Sequence, residues 1–363
     1  MTPSCLQEQH QPPPAHQNFI DWMKATGMFF IVFGHVVGAP FNQLTQPIYP
    51  KQLGVAFFVF VVAWSLANDS RPRLRLLYNR LFPVYFFGIG FAVLLSCLFL
   101  FLKNDTNPSN YLPFFFGANV FFNYFPANPT TWYIGTYLHL LLFWFFFLHG
   151  KTIKTRHILY MLLCEICIRS IFLASGKIFV AYMLLPNWGT IFLLGFLFAN
   201  KNDKSTPSSL YPLMGLWLTV FIVWALLTNS IGFDTSFPFR KLLHPFDSLA
   251  FSSLAQSILV TLVYCTHTIL FFAIARRLPR LPVISFFSRN TLIIFIAHMP
   301  VIYGTSSFIY SLFEPVWLKK TILILLLYVG LATVSEMISK VFDVKKLREK
   351  TWHIITPKLG ITK

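Results

Sequence analysis

Asp21-Trp-Met-Lys24-Ala-Thr-Gly-Met-Phe-Phe-Ile-Val-Phe-Gly-His35 lies in the first long apolar run of the chain. Eleven residues of α-helix make three full turns plus about 20°, so Lys24 and His35 share one face, about 16 Å apart along the axis. Asp21, one turn before Lys24, joins the same stripe. Ionisable groups on a membrane-inserting helix are costly to keep and point to function by default. Asp21 and Lys24 have a plainer reading as helix-end charges that snorkel to the surface. His35 has no such escape, so it is a candidate catalytic residue.

Outward from this stretch, composition sets the class. Of 363 residues, 56% are hydrophobic and 11% charged, and the mean hydropathy is +0.62. Soluble domains carry about 25% charge, so the chain reads as all-α and polytopic in a membrane. The formal charge of +17 is not a nucleic-acid signature, because the basic residues fall between apolar runs, where they set topology. Cys97, Cys164, Cys167 and Cys265 lie in apolar runs and Cys5 in the first residues, so no disulfide framework is expected. Cys164-x-x-Cys167 lacks a second ligand pair and reads as packing. Together with the isolated His10 and His16, this gives no metal site.

Ten stretches are long enough to cross a bilayer: 20–39, 50–68, 81–102, 131–149, 157–175, 178–199, 210–232, 252–275, 286–312 and 316–342. The sixth is interrupted at Pro186-Asn187, and the last two are joined by a tight hairpin. The connections 69–80, 150–156, 200–209 and 276–289 and the tail from Lys340 hold 20 Lys and Arg, against seven, Lys51 among them, in the alternate connections. By the positive-inside rule the first set is cytoplasmic, which puts both termini in the cytoplasm and agrees with an even number of spans. Three regions follow: a disordered cytoplasmic tail over 1–18, a membrane domain over 19–342 and a basic cytoplasmic tail over 343–363. The aromatic segment 111–125 is too short to span and too apolar for a solvated loop, so it is expected at the interface or as a re-entrant segment, as an anchor or as the border of an acceptor site.

This orientation puts Lys24 near the inner surface and His35 in the outer half. Arg71, Arg73, Arg75 and Arg80 line the inner rim, where they suit a phosphate-bearing ligand or serve only as a topology signal and lipid contact. His298 lies near mid-membrane, two residues before Pro300, which is expected to open the helix locally. Glu165 and Arg169, spaced i,i+4, read as a structural ion pair. His139 and His267 read as packing groups.

Six stretches together resemble the acyltransferase-3 family of integral membrane acyltransferases. Lys24-x10-His35 is similar to its first-helix signature, and Gly54 to Phe60 to its second helix. Arg80-Leu-Phe-Pro83-Val-Tyr85 resembles its basic stretch, Asn128 to Gly135 with Trp132 its fourth-helix motif, and Trp188 to Gly195 its small-residue motif. Asn290 to Val301, with His298-Met-Pro300, resembles its late His-x-Pro motif. There are departures: Lys24 stands where Arg is common, Val62-Ala63 where Ser-Gly is common, and Leu77 at the position expected for the arginine that Arg75 would supply. The resemblance is to the stand-alone form of the family. It implies transfer of an acyl group, usually acetyl from acyl-CoA, to a hydroxyl of a cell-surface or lipid-linked glycan, with a bacterial inner membrane as the expected location. His35 and His298 are then the catalytic candidates, Lys24, Arg75 and Arg80 the donor-binding ones, and Asp21, Trp132, Glu165 and Arg169 structural or unassigned.

The chemistry stands on the residues too. Acyl transfer to a hydroxyl needs a base, and histidine suits that role near neutral pH. With phosphates at Lys24 and Arg80, an extended pantetheine arm has to reach about three turns deeper to His35, for direct transfer or through an acyl-His35 intermediate. The rival reading is a transporter or lipid flippase, which interrupted helices at Pro186 and Pro300 would also suit. A non-catalytic subunit for polysaccharide export is a third.

Overall fold

The computed structural model describes residues 17–37, 51–103, 116–122, 132–200, 210–228 and 248–358. Among these residues the chain is helical with no strand. The elements are α1 (Asn18–Val37), α2 (Lys51–Ala67), α3 (Arg73–Lys103), α4 (Asn119–Phe122), α5 (Trp132–Phe143), α6 (Thr155–Ala174), α7 (Ile178–Met183), α8 (Gly189–Asn200), α9 (Tyr211–Thr228), α10 (Leu249–Ala275), α11 (Pro282–Leu312), α12 (Val316–Leu325), α13 (Leu331–Val341) and α14 (Val344–Lys358). One turn of π-helix, Leu326–Gly330, fuses α12 to α13, and another, Trp144–Leu148, extends α5.

Among the described residues, five helical stretches are long and apolar enough to cross a membrane: Arg73–Leu94, Thr155–Ala174, Leu249–Ala275, Pro282–Leu312 and Val316–Val341. Lys51–Ala67, Trp132–Leu148, Gly189–Asn200 and Tyr211–Val223 are shorter apolar helices. The sixth expected span is broken where the sequence indicates: α7 ends at Met183, Leu185–Asn187 forms a 3-10 turn, and α8 starts at Gly189. The hairpin between α11 and α12 is three residues, Phe313 to Pro315. Pro300, in contrast, does not open α11, which stays helical from Pro282 to Leu312. A membrane helix tolerates an internal proline when neighbouring groups satisfy the freed carbonyl.

α1 is central, packed against α2, α10, α11 and α12. Lipid tails are as apolar as leucine, so close van der Waals approach and polar ties, rather than water exclusion, hold such helices together. Gly27 and Gly54 allow the closest approach: a Cβ on Gly54 would meet the Gly27 carbonyl oxygen at 2.3 Å. α2 packs in turn on α8, where a Cβ on Gly195 would meet the Phe60 carbonyl oxygen at 2.5 Å. Phe19, Phe60, Trp64 and Phe272 fill the space between α1, α2 and α10.

Cross-contacts give relative helix directions. Gly27 meets Gly54 and Gly34 meets Lys51, so α1 and α2 are antiparallel. On α1 and α11 the order is the same: the Ser285 hydroxyl donates to Asp21 at 2.7 Å, and the His35 and His298 rings lie 5.1 Å apart. The two helices are therefore parallel. α6 and α10 are antiparallel, with Thr261 against Glu165 and Ser257 against Arg169.

Two expectations on connections change or narrow. Residues 344–358, read from sequence as part of a basic tail, form α14, which docks on α3. Of the aromatic segment 111–125, residues 116–122 are described: Gly117 turns the chain at φ +68° and α4 packs on α5 and α7, burying Asn119 and Val120. The remainder of that segment, Cys5, His10, His16, Lys201, Lys204, Arg240, Lys241 and Lys363 lie outside the described residues.

Candidate active site

The α1 stripe continues through Lys24, Met28, Ile31 and His35. The first three line a cavity of about 150 Å³. Val55, Phe58 and Val62 of α2 form the facing wall, and Tyr133, Tyr137 and Phe295 close it from α5 and α11. Lys24 is the single charged side chain in that lining, so the cavity is apolar with one cation in its wall. Tyr133 lines the cavity, and its hydroxyl is buried with no hydrogen-bond partner among the described residues.

One turn beyond Ile31, His35 meets His298 of α11, with ring centroids 5.1 Å apart and planes inclined at 51°. His298 is fully buried, and its Nδ1 lies 2.8 Å from the Phe295 carbonyl and 3.1 Å from the Ile294 carbonyl. Carbonyl oxygens only accept, so Nδ1 carries the proton and Nε2 bears the lone pair. That Nε2 is buried without a partner among the described residues. A neutral imidazole oriented by its own helix and offering a free Nε2 is the form a general base requires. Phe295, whose ring lies 6.0 Å from that of His298 and 5.4 Å from that of Tyr133, links the pair to the cavity wall.

Lys51 is the residue that sequence reasoning missed. Counted there as an outer-loop charge, it is the first residue of α2, where a Cβ on Gly34 would lie 2.9 Å from the Lys51 Cβ. It is within electrostatic reach of both His35 and His298. Its place depends on how the α1–α2 hairpin folds back, which charge counting does not register.

The basic rim is also assembled. Arg80 lies within electrostatic reach of Lys24, and of Asp69 and Arg348. Burial alone would raise the Asp69 carboxyl, but the Arg71 hydrogen bonds, with the Arg71 and Arg80 charges, outweigh it and hold Asp69 below its ordinary range. Arg73 donates to the Phe145 carbonyl at 3.2 Å and lies over the Phe145 ring. Arg75 is paired with Glu349 of α14.

The other sequence candidates lie away from the cavity. Asp21 is buried against Ser285 in the first turn of α11, where the helix dipole favours a carboxylate. Glu165 and Arg169 form a buried ion pair between α6, α8 and α10. Arg169 also donates to the Ser257 carbonyl at 2.8 Å and to Thr261 at 2.7 Å, while Glu165 accepts from the Thr190 amide at 3.0 Å. Trp132 packs against Tyr182 and Trp188, at 4.8 and 6.3 Å between ring centroids. His267 stacks on Phe57 and accepts from the Trp217 indole at 3.1 Å. Cys164 and Cys167 are exposed on α6, and no three His, Cys, Asp or Glu come together as a metal site among the described residues.

Compared with known proteins, residues 17–339 match the model of a family described as an acyltransferase domain, the Acyl_transf_3 family. No curated protein and no solved structure matches the chain.

Proposed function

The chain belongs to the acyltransferase-3 family and is an acyltransferase, and from that premise we propose that it is a membrane O-acyltransferase. It moves an acyl group, acetyl first among the candidates, from cytosolic acyl-CoA to a hydroxyl of a cell-surface or lipid-linked glycan. The observation that carries this reading is the His35–His298 pair at the end of the stripe whose other members, Lys24, Met28 and Ile31, line the cavity. The donor phosphates lie at Lys24, Arg80 and Arg75, and the pantetheine arm occupies the cavity that Lys24, Met28 and Ile31 line.

The acceptor hydroxyl gives its proton to a neutral imidazole of the pair while its oxygen attacks the thioester carbonyl. The tetrahedral intermediate collapses by breaking the carbon–sulfur bond, and the imidazolium returns the proton to the leaving thiolate. In the two-step form His35 itself attacks first, and the acceptor then releases the acyl group from it. With Lys24 on the cytoplasmic side and His35 deeper, the acyl group crosses the bilayer while CoA stays inside. The membrane in question is a bacterial inner membrane in this reading.

Sealed vesicles of known orientation test it. Labelled acetyl-CoA offered on the Lys24 side labels an acceptor confined to the other side, and His35→Ala, still inserted in the membrane, abolishes the signal. Labelling that requires donor and acceptor on one side refutes the through-membrane route. Near-normal transfer by His35→Ala refutes the catalytic assignment.

A further inference from the structure

α14 follows residue 339, where the family match ends, and the family signature says nothing of it. Its sequence, Val344-Lys-Lys-Leu-Arg348-Glu349-Lys-Thr-Trp352, is basic with one acid inside the helix. Asp343 starts the helix by accepting from the Lys346 amide at 2.9 Å. An aromatic face then seats α14 on α3: the Tyr78 and Trp352 rings lie 4.9 Å apart, and the Tyr78 hydroxyl donates to the Arg348 carbonyl at 3.0 Å. The Arg75 guanidinium lies 4.6 Å over the Trp352 ring.

Docking brings the one acid of α14 to two guanidinium groups. Glu349 pairs with Arg75 and accepts from Arg348 at 3.3 Å. The two arginines still hold donors that this carboxylate does not reach: Arg75 Nη1 and Arg348 Nε are buried with no hydrogen-bond partner among the described residues. Buried N–H groups left without an acceptor are costly, and guanidinium forks match phosphate geometry. Arg348 also lies within electrostatic reach of Arg71 and Arg80, and Arg80 of Lys24, so a line of cations runs from α14 to the mouth of the cavity. Glu349 is about one-third exposed, so its ion pair is weak and readily exchanged.

We propose that α14 completes the donor site, with Arg348 as a phosphate-binding residue and Glu349 as an internal anion that a donor phosphate replaces at Arg75. The inference rests on the acyl-CoA reading above. Phosphate brings more charge and more acceptor oxygens than one carboxylate, and it satisfies the donors now without partners.

The test uses the full chain in nanodiscs of neutral lipid, with acetyl-CoA and, as a donor without phosphates, acetyl-pantetheine. Glu349→Gln lowers the KM for acetyl-CoA about two- to fivefold, because it removes a weak competing ion pair. Arg348→Gln raises that KM about tenfold, with partial recovery in Arg348→Lys. The KM for acetyl-pantetheine shifts less than twofold in all three. An unchanged or raised acetyl-CoA KM in Glu349→Gln overturns the proposal, as do equal shifts for both donors, which would mean that α14 only supports the fold. A KM effect that appears only when anionic lipid is added overturns it too, assigning the cations to lipid headgroups. If the wild type binds acetyl-pantetheine with the same KM as acetyl-CoA, this proposal fails while acyl transfer stands. If it uses neither, the acyl-CoA reading fails with it.

Discussion

Adding one methyl group at residue 54 separates a helix crossing that organises the cavity from one that merely fills space. The Cβ of Gly54→Ala would sit 2.3 Å from the Gly27 carbonyl oxygen and 3.0 Å from Ile31 Cγ1. Carbon–oxygen contacts settle near about 3.3 Å or more, so α1 and α2 have to part by about 1 Å. The nearest obstacle is backbone, which cannot rotate aside. Overpacking of this kind costs about 1–3 kcal/mol. The functional loss is larger in proportion, because α2 carries Val55 and Phe58 opposite Met28 and Ile31, and Lys51 next to His35. A displacement of about 1 Å in a reacting geometry costs on the order of 100-fold in rate. Gly90→Ala in α3 and Gly215→Ala in α9 are the controls, since a Cβ at either meets nothing within 4 Å. In helix interiors those changes gain about 0.5–1 kcal/mol. Thermal unfolding in detergent and the acetyl-transfer rate, measured on all three variants, decide the matter. Gly54→Ala matching Gly90→Ala in both would show that the α1–α2 crossing does not set the site.

Lys24→Ala and Arg80→Ala each raise the KM for acyl-CoA about tenfold, and Lys24→Arg retains more affinity than Lys24→Ala; normal donor binding in both alanine variants would reduce the rim to a topology signal. Arg169→Met leaves Glu165 buried and unpaired and costs about 3–5 kcal/mol, while adding Glu165→Leu recovers part of that loss; unfolding midpoints check it, and a double variant as unstable as the sum of the single ones sinks the argument. Tyr133→Phe removes the buried hydroxyl of a residue that lines the cavity, so kcat/KM falls about three- to tenfold if that hydroxyl holds the donor, with no loss of thermal stability; an unchanged kcat/KM removes Tyr133 from the site.

How much of this is legible in the sequence depends on range. The α1 stripe is local: helical periodicity alone aligns Lys24, Met28, Ile31 and His35, and three of the four line the cavity. The break at Pro186 is local as well, because proline and a following glycine punctuate an apolar run. The pairing of His298 with His35 is not legible, since it depends on α11 packing parallel to α1. The continuity of α11 through Pro300 escapes a rule that weighs only the lost hydrogen bond. Counting apolar windows gives ten spans, whereas α2, α5, α8 and the apolar part of α9 form shorter helices, with α5 extended by a π-turn. α14 is hidden for another reason. It is too polar for hydropathy to mark, and its docking uses aromatic and guanidinium contacts with α3 that no periodicity encodes.

The parallel pairing of α1 and α11 also makes the site a lever. Asp21 and Ser285 join the two rods near one end, and His35 and His298 meet about 20 Å along both. With the first contact as pivot, each degree of relative tilt moves one ring about 0.35 Å past the other over that arm. A change of about 5° shifts them by nearly 2 Å, enough to take the two rings out of contact. Transmembrane helices adjust their tilt to the thickness of the surrounding hydrocarbon. The acyl-chain length of the host lipid is thus a term in the reaction geometry, and turnover reconstituted across a series of bilayer thicknesses passes through a maximum where the two rods lie at the angle seen in this structure.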